Sequence, residues 1–478
     1  MDGYDTALIG SLFGFPAFQK RFGAEVGTTG KYQVSAKWQD ALGLASPLGN
    51  VVGIFINGIL TERFGHKKTL LLSIVWLTGC IFIAFFAPNF SILFVGELLC
   101  GLSWGVFTTM APAYASEVTP VVLRGYLETF VVLCWGIGQF ISYGVLDGLV
   151  NSGGSLTAYA WRIPFAVQWV WPVIIIPLVI FCPESPWWLV RKGRIEEAEK
   201  TFKRLSSSTD PNAARDAVAL MVETTELERS MTEGANYLDC LRGDNLWRTE
   251  IGCVAWSSQV LVGFALSSYA AYFYEQAGLP AKDSYKMTVG QGGLHFACTL
   301  VSVFLTGRVG RRKIFIWGCG FMALAMCIIG FISLAPPSVT IGYASSAMYL
   351  IWFSVYELTI GPVAFIVVGE TSSTRLRSKS IALGRNAYNV FSIISFTVAP
   401  YILNPTKGNW KGKSGFLAGA LCLLCAIWGF FRLPECKGRT FEELDIMFSR
   451  KLKAWEFESY VIDHQVDIET KMQVEHHE

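Results

Sequence analysis

Charged residues are scarce in this sequence. Only 16% of its 478 residues are Asp, Glu, Lys or Arg, against roughly 25% in soluble domains. A soluble chain of this length would divide into about two or three domains and coat each with charge. Metal-ligand spacing is missing too. The 12 Cys include Cys80, Cys100, Cys134, Cys298, Cys327, Cys422 and Cys425, all inside apolar stretches. There a thiol is a small packing residue, so neither a zinc pattern nor a disulfide framework is read. No Walker loop and no nucleophile elbow occur, which argues against an enzyme. The net charge of +2 gives no case for nucleic acid. The chain opens with no basic leader and no small-residue cleavage site, so no signal peptide is read.

What is present is apolar length. Hydrophobic residues make up 52% of the chain, with 34 Phe and 16 Trp. They fall in blocks near 41–61, 69–87, 91–115, 125–146, 164–182, 250–274, 286–306, 314–335, 341–368, 379–402 and 414–432. Only helices or closed barrels satisfy their backbone in lipid. These blocks are longer than barrel strands and do not alternate, so an all-α polytopic membrane protein is expected. The opening run behind Asp2 and Asp5 makes a twelfth span. It covers only Thr6–Phe18, 13 residues, whereas a crossing needs about 20.

Basic clusters at Arg63/His66/Lys67/Lys68, Arg124, Arg308/Arg311/Arg312/Lys313 and Arg375/Arg377/Lys379 lie on one side. The positive-inside rule makes that side cytoplasmic, with both termini. Lys20, Arg21, Lys31, Lys37, Lys407, Lys411 and Lys413 sit opposite, but the inside clusters are tighter and nearer the helix ends. Four segments follow: six spans over 1–182, a polar linker over 183–248, six spans over 249–433 and a tail over 434–478. The linker stretch "RKGRIEEAEKTFKRL" has helical period and opposite charges three to four apart, which marks surface helices. The tail is expected to hold one short helix and then a loose end. Asn89-Phe90-Ser91 is a glycosylation triplet in an outer loop.

The two halves repeat one another in their loops. "ERFGHKK" is answered by "GRVGRRK", with Gly65 and Gly310 245 residues apart. "EVTPVVLRG" is answered by "ETSSTRLRS", with Glu117/Arg124 and Glu370/Arg377 253 apart. "PESPWWL" and "PECKGRT" are 251 apart. Three pairs at nearly one offset indicate two parallel six-helix repeats. The acids and bases at these helix ends are expected to pair across the seam between repeats and to form a cytoplasmic gate. Glu117 and Glu370 would face Arg63, Arg124, Arg308 and Arg377, with Glu62 and Arg311 in the same set.

These motifs, with "GYD" at Gly3-Tyr4-Asp5 and "GPVAFIVVGE", match in order those of the sugar porter branch of the major facilitator superfamily. The chain resembles that family over nearly its whole length. "GELLCGLSWGVF", "LCWGIGQ", "STRLRSKS" and "GRNAYN" look like the fungal maltose/α-glucoside:proton symporters. The resemblance implies the major facilitator fold of two six-helix bundles, a midplane sugar site and alternating access. Members carry more chain before their "GYD". The opening is therefore expected to mark either a missing first exon or a poorly active carrier.

Charges inside the membrane are functional candidates by default. Asp5, Glu97 and Arg385 lie within spans. Asp5 is the expected proton carrier, Glu97 the second acid and Arg385 their counter-charge. Glu97 stands where many sugar porters have Arg, and an acid there is like the α-glucoside branch. His295 is either a packing histidine or a hydrogen-bonding group. For the sugar, the resemblance points to Gln259 and Phe365; the pocket is otherwise expected to be rebuilt from Asn386, Tyr388, Asn389, Tyr269 and Gln139, or affinity for maltose to be reduced. Several partners usual in the family are absent: Val132, Val260 and Ala265 are apolar, and Phe365 stands in place of Trp. The leading expectation is proton-driven import of a maltose-like α-glucoside at the plasma membrane. No cofactor is needed beyond the proton gradient. The expected partners are sugar and lipid, with no nucleic acid, and the protein is expected to be a monomer. A hexose facilitator, an inactive truncated product and a sensor are the alternatives; the short tail counts against a sensor.

Overall fold

The computed structural model describes residues 1–25, 32–119, 121–153, 157, 159–206, 212–232, 237–336, 338–372, 376–404, 408–439 and 441–460. The first half runs α1 (Asp2–Leu12), α2 (Pro16–Phe22), α3 (Ala36–Phe64), α4 (His66–Phe85), α5 (Phe90–Val118), α6 (Val121–Asn151), α7 (Ile163–Val167) and α8 (Val170–Phe181). Three surface helices follow: α9 (Pro186–Arg191), α10 (Ile195–Leu205) and α11 (Ala213–Thr232). The second half runs α12 (Gly243–Gln259), α13 (Ala265–Ser268), α14 (Ala270–Gln276), α15 (Ala281–Arg308), α16 (Arg311–Ile332), α17 (Val339–Leu358), α18 (Ile360–Thr371), α19 (Arg377–Leu403) and α20 (Ser414–Arg432). A tail helix, α21 (Phe441–Ser449), closes the described chain. Among the described residues the one departure from all-α is a two-residue antiparallel pair in an outer loop, Ala24 with Gln33 and Glu25 with Tyr32.

Nine helical runs among the described residues are long and apolar enough to cross a bilayer. The first, seventh and eleventh expected spans fall outside that set. The first is only 11 residues as α1, because the chain turns at Phe13–Phe15 and restarts at Pro16. The seventh is broken where Gly263 takes φ +105°, beyond α12. Such a value suits glycine and few other residues. The eleventh, α19, carries Arg385, Asn386 and Asn389 in its middle.

Two more breaks matter for the site. α17 gives way to α18 at Thr359 (φ −122°, ψ −82°). Pro362 has no N–H to return to the Leu358 carbonyl, so the helix cannot run through. The sixth span breaks between α7 and α8 at Gln168, and Pro172 removes the matching donor there.

α1 is wedged between the halves. A Cβ on Gly3 would lie 2.0 Å from the Trp135 carbonyl oxygen of α6, and one on Gly10 would lie 1.8 Å from the Ser268 carbonyl oxygen of α13. Only glycine permits both approaches. At the outer end the halves are stitched together. Tyr285 Oη donates to the Ser11 carbonyl (2.6 Å), Gln33 Nε2 to Tyr272 Oη (2.7 Å) and Asn404 Nδ2 to the Val34 carbonyl (3.3 Å). Phe13 stacks on Tyr269 at 5.8 Å. At the cytoplasmic end, the ion pairs of Glu117 with Arg191 and of Glu370 with Arg311 each stay within one half. The arrangement is closed outside.

The cytoplasmic loops repeat as structure, too. Glu184 accepts from the backbone N–H of His66 (2.9 Å), Lys67 (3.2 Å) and Ser185 (3.1 Å). Glu435 accepts from those of Arg311 (2.8 Å), Arg312 (3.2 Å) and Lys437 (3.2 Å). Each carboxylate caps the open amides of a helix N-terminus, α4 or α16, and complements its dipole. The preceding glycines make room: a Cβ on Gly65 or Gly310 would fall 2.5 or 2.0 Å from the capping oxygen.

The tail is more ordered than expected. Buried Arg248 of α12 pairs with Asp445, and its guanidinium lies 4.3 Å over Phe448 of α21. Trp247 packs on Phe448 and Phe457. The expected loose end beyond residue 460 lies outside the described residues. Asn89, of the glycosylation triplet, accepts from the Ile92 N–H (3.0 Å) and is the N-cap of α5.

Two outcomes follow. Glu435→Ala strips an acceptor from three amides and is expected to destabilise by about 1–3 kcal/mol, read as a lower melting temperature in detergent. Glu435→Gln is expected to lose less. Burial pushes Glu184 up, but the His66 side chain, with Nδ1 3.7 Å away, and hydrogen bonds from the Ser185, His66 and Lys67 amides outweigh it and hold the carboxyl below its ordinary range. A lowered folded pKa contributes stability above the unfolded value, about 4.3, and loses it as pH falls through the folded one. Glu184→Gln is therefore expected to flatten the acid limb of the melting-temperature profile below about pH 4.3.

Candidate functional site

The acid centre is built from three elements of the first half. α1 carries Asp5, which is 2% exposed. Trp104 of α5 donates its Nε1–H to Asp5 Oδ2 (2.7 Å), and Gln168, at the α7–α8 break, donates Nε2 to Oδ1 (2.7 Å). Both oxygens are thus held by neutral donors. Tyr4 fixes the same corner by donating to the Pro164 carbonyl at 2.8 Å. Glu97 sits two helical turns before Trp104 on α5, 1% exposed, and its Oε2 has no partner. Asp5 is the charge that acts on it. Cys100, one turn from Glu97, packs with Trp104, Cys80 and Leu77.

Arg385 lies elsewhere. Its guanidinium stands 4.5 Å over Tyr388 and 5.9 Å from Trp256. Among the described residues no ion pair joins it to Asp5 or Glu97; the acid within its electrostatic reach is Asp2. The expected counter-charge is therefore displaced, for two reasons. Tyr388 lies one turn along the same helix, and both Asp5 oxygens are already filled.

Two of the expected sugar groups, Phe365 and Gln259, lie beside a residue that sequence reasoning missed. Trp256 of α12 is 7% exposed and its indole N–H has no partner. Phe365 of α18 meets it edge-on at 6.0 Å, and a Cβ on Gly384 of α19 would touch it at 3.1 Å. Gln259, one turn beyond Trp256, donates to the Gly361 carbonyl at 2.8 Å and ties α12 to α18. Phe365 is 47% exposed, Asn386 is exposed, and Tyr388 and Asn389 are half-buried. Tyr269 is buried against Phe13 and Phe396 at the outer closure. Gln139 is buried on α6. Val132 and Ala265 lie outside the described side chains. The signal for Trp256 was its place in "WSSQ", one turn before Gln259.

Among the described residues, the cytoplasmic acids Glu117 and Glu370 pair inside their own halves. Glu117 binds Arg191 of α9 (2.6 Å) and Ser185, with His66 Nε2 at 3.6 Å. Glu370 takes a bidentate pair from Arg311, Nη2 at 2.8 Å and Nε at 3.2 Å. The reason is proximity. α9 and the first turn of α16 bring Arg191 and Arg311 to these acids within their own six spans. His66 and Arg311 hold matching places in the repeat, each between a capping glutamate and a helix-end glutamate. Arg63 stacks on Phe64 at 5.5 Å. Glu62 and Arg308 have exposed side chains and lend only carbonyls, to Trp188 and Lys437. The side chains of Arg124 and Arg377 lie outside the described residues.

Comparison with known proteins agrees with this geometry. Residues 1–448 match the family described as "Sugar (and other) transporter". The maltose permease MAL31 of Saccharomyces cerevisiae is 36% identical over 469 residues, covering 97% of this chain and 76% of that protein. The alpha-glucosides permease MPH3 of the same species is 36% identical over 485 residues, covering 100% of this chain and 80% of that protein. Among solved structures, the inward-open xylose transporter XylE of E. coli superposes with a TM-score of 0.72 at 22% identity, over 93% of this chain and 98% of that one. A related XylE structure is described as a major facilitator superfamily proton:xylose symporter. The fold is the major facilitator fold. With a family match over most of its length and relatives at 36% identity, this chain belongs to the sugar transporter family.

Proposed function

We propose that this chain imports an α-glucoside, a maltose-like disaccharide, together with a proton by alternating access. The observation that carries the coupling is the buried acid pair: Asp5 held by Trp104 and Gln168, beside Glu97 with an open oxygen. Two buried carboxylates within electrostatic reach of each other are stable together in a dry interior when one of them is protonated. The names of the yeast relatives, maltose and alpha-glucosides permeases, support the substrate.

In this reading residues 1–182 and 249–433 are two rocking bundles, joined by the 183–248 linker and followed by the 434–478 tail. The protein works at the plasma membrane as a monomer with both termini cytoplasmic. No cofactor enters the cycle beyond the proton gradient. Trp256, Phe365 and Tyr388 offer ring faces to the apolar side of a sugar. Gln259, Asn386 and Asn389 offer amides to its hydroxyls. Arg385 orients polar groups from above Tyr388. In the inward-facing arrangement the sugar leaves and the acid pair gives its proton to cytoplasmic water. Opening outward then breaks the Tyr285–Ser11 and Gln33–Tyr272 contacts, and the pair takes a new proton from outside. Glu117–Arg191 and Glu370–Arg311 hold each bundle's inner end rigid, so that the bundles move as bodies. Glu62, Arg63, Arg124, Arg308 and Arg377 line the inner mouth as the remaining gate charges.

Two experiments test this. Expressed in a host with no glucoside carrier, Asp5→Asn is expected to abolish pH-driven accumulation of labelled maltose while counterflow continues. Accumulation equal to the unaltered protein would refute proton coupling at Asp5. Trp256→Ala is expected to raise the KM for maltose about three- to tenfold, as loss of about 1 kcal/mol of ring stacking implies; an unchanged KM would place the sugar elsewhere.

A further inference from the structure

A second buried ionisable pair lies in the other bundle, and the cycle above does not use it. His295 sits midway along α15, 1% exposed, and Glu357 lies in the last turn of α17, 4% exposed. His295 Nδ1 and Glu357 Oε1 are 3.0 Å apart. Yet neither ring nitrogen, nor Glu357 Oε1, makes an aligned hydrogen bond. Polar atoms this deeply buried are ordinarily satisfied, so the pair is poised for something other than packing. Among the described residues, no lysine or arginine pairs with Glu357. The titratable groups facing the pair are Tyr143 of α6, Cys298 of α15 and Tyr356 of α17, with Tyr388 of α19 behind Tyr356. Trp135 of α6 and Phe353 of α17 flank the ring, each at 6.0 Å.

The ring also meets the seam. A Cβ on Gly136 of α6 would lie 2.2 Å from His295 Cδ2 and 2.6 Å from Nε2. The free nitrogen edge therefore presses on the opposite bundle at Gly136, where the missing side chain leaves room for it. Glu357 sits at the α17–α18 break, whose far side is tied to α12 by Gln259.

We propose that His295 and Glu357 form a second proton-binding centre, in the second bundle, whose Nε2 edge exchanges with water only when the seam at Gly136 parts. The balance is simple. With one proton the pair is net neutral, an imidazole beside a carboxylic acid. Losing that proton to water leaves one negative charge in the membrane interior, which the bilayer penalises. Rocking of the bundles supplies the water contact that the loss requires, so titration of the centre is tied to the transport cycle. The proposal rests on the alternating-access reading but not on the identity of the sugar.

The test uses the full chain in detergent and in proteoliposomes, with Glu357→Gln and His295→Asn. Infrared difference spectra between acid and neutral pH are expected to lose one protonated-carboxyl component in Glu357→Gln and to show it shifted in His295→Asn. The pH midpoint of maltose counterflow is expected to move by about one unit, a tenfold change in proton affinity. Either variant suffices if the other does not fold. A lower melting temperature with the carboxyl component and the midpoint unchanged would overturn the proposal, because that is the mark of packing alone. If no glucoside gives counterflow in the unaltered chain, yet the infrared component vanishes in Glu357→Gln, the centre stands and the substrate reading falls.

Discussion

A carbonyl freed by a helix break inside a bilayer has no water to turn to. That constraint organises this protein. Its spans break at several points, and a side chain from another helix answers near each one. Tyr285 serves Ser11 at the end of α1. Tyr4 serves Pro164 in the broken sixth span. Cys422 of α20 reaches the Val262 carbonyl, beside Gly263, with its thiol. Gln259 reaches Gly361 where α18 begins. The breaks gather the groups that could do chemistry: Gln168 on Asp5, Glu357 at Thr359, and the rings around Trp256. Irregular backbone is tolerated at membrane depth where other protein groups receive it. Here the same groups that receive it also define the interior.

The cytoplasmic ends follow a different economy. Glu184 and Glu435 each bind three backbone amides, and their neighbours Glu117 and Glu370 take the nearest guanidinium. Two near-copies of one cluster result, one per half. Self-contained clusters of this kind let each half keep its shape while its position relative to the other changes. The outer stitching has the opposite character, since it joins one half directly to the other.

The architecture was legible because hydropathy and loop motifs are long-range signals. Eleven apolar blocks and three loop pairs at one offset carry the twelve-span reading, and the "PES" and "PEC" motifs mark the two caps. Partner choice was less legible. In an apolar sequence a charge is conspicuous, so Asp5 and Glu97 stood out, but Trp104, Gln168 and Trp256 are neutral and blend into their helices. Arg385 was misplaced because a guanidinium can satisfy itself on a ring one turn away, which no list of charges reveals. The acids Glu117 and Glu370 likewise take a base of their own half in this arrangement. Motif spacing says which ends lie on the same side of the membrane. It does not say which of two nearby bases arrives first.

The latch of Arg248 on α21 also bears on how the chain is made. Arg248 opens the seventh span, yet its carboxylate partner is 197 residues further on. A buried arginine without its partner is strongly disfavoured. During synthesis, therefore, the inner end of that span stays wet and unsettled until Asp445 has emerged and α21 has swung back beneath the bundle. The second bundle is thereby sealed late, by its own trailing segment. Without the segment from residue 444 onward, that guanidinium would lose its carboxylate, a carbonyl and the ring beneath it together.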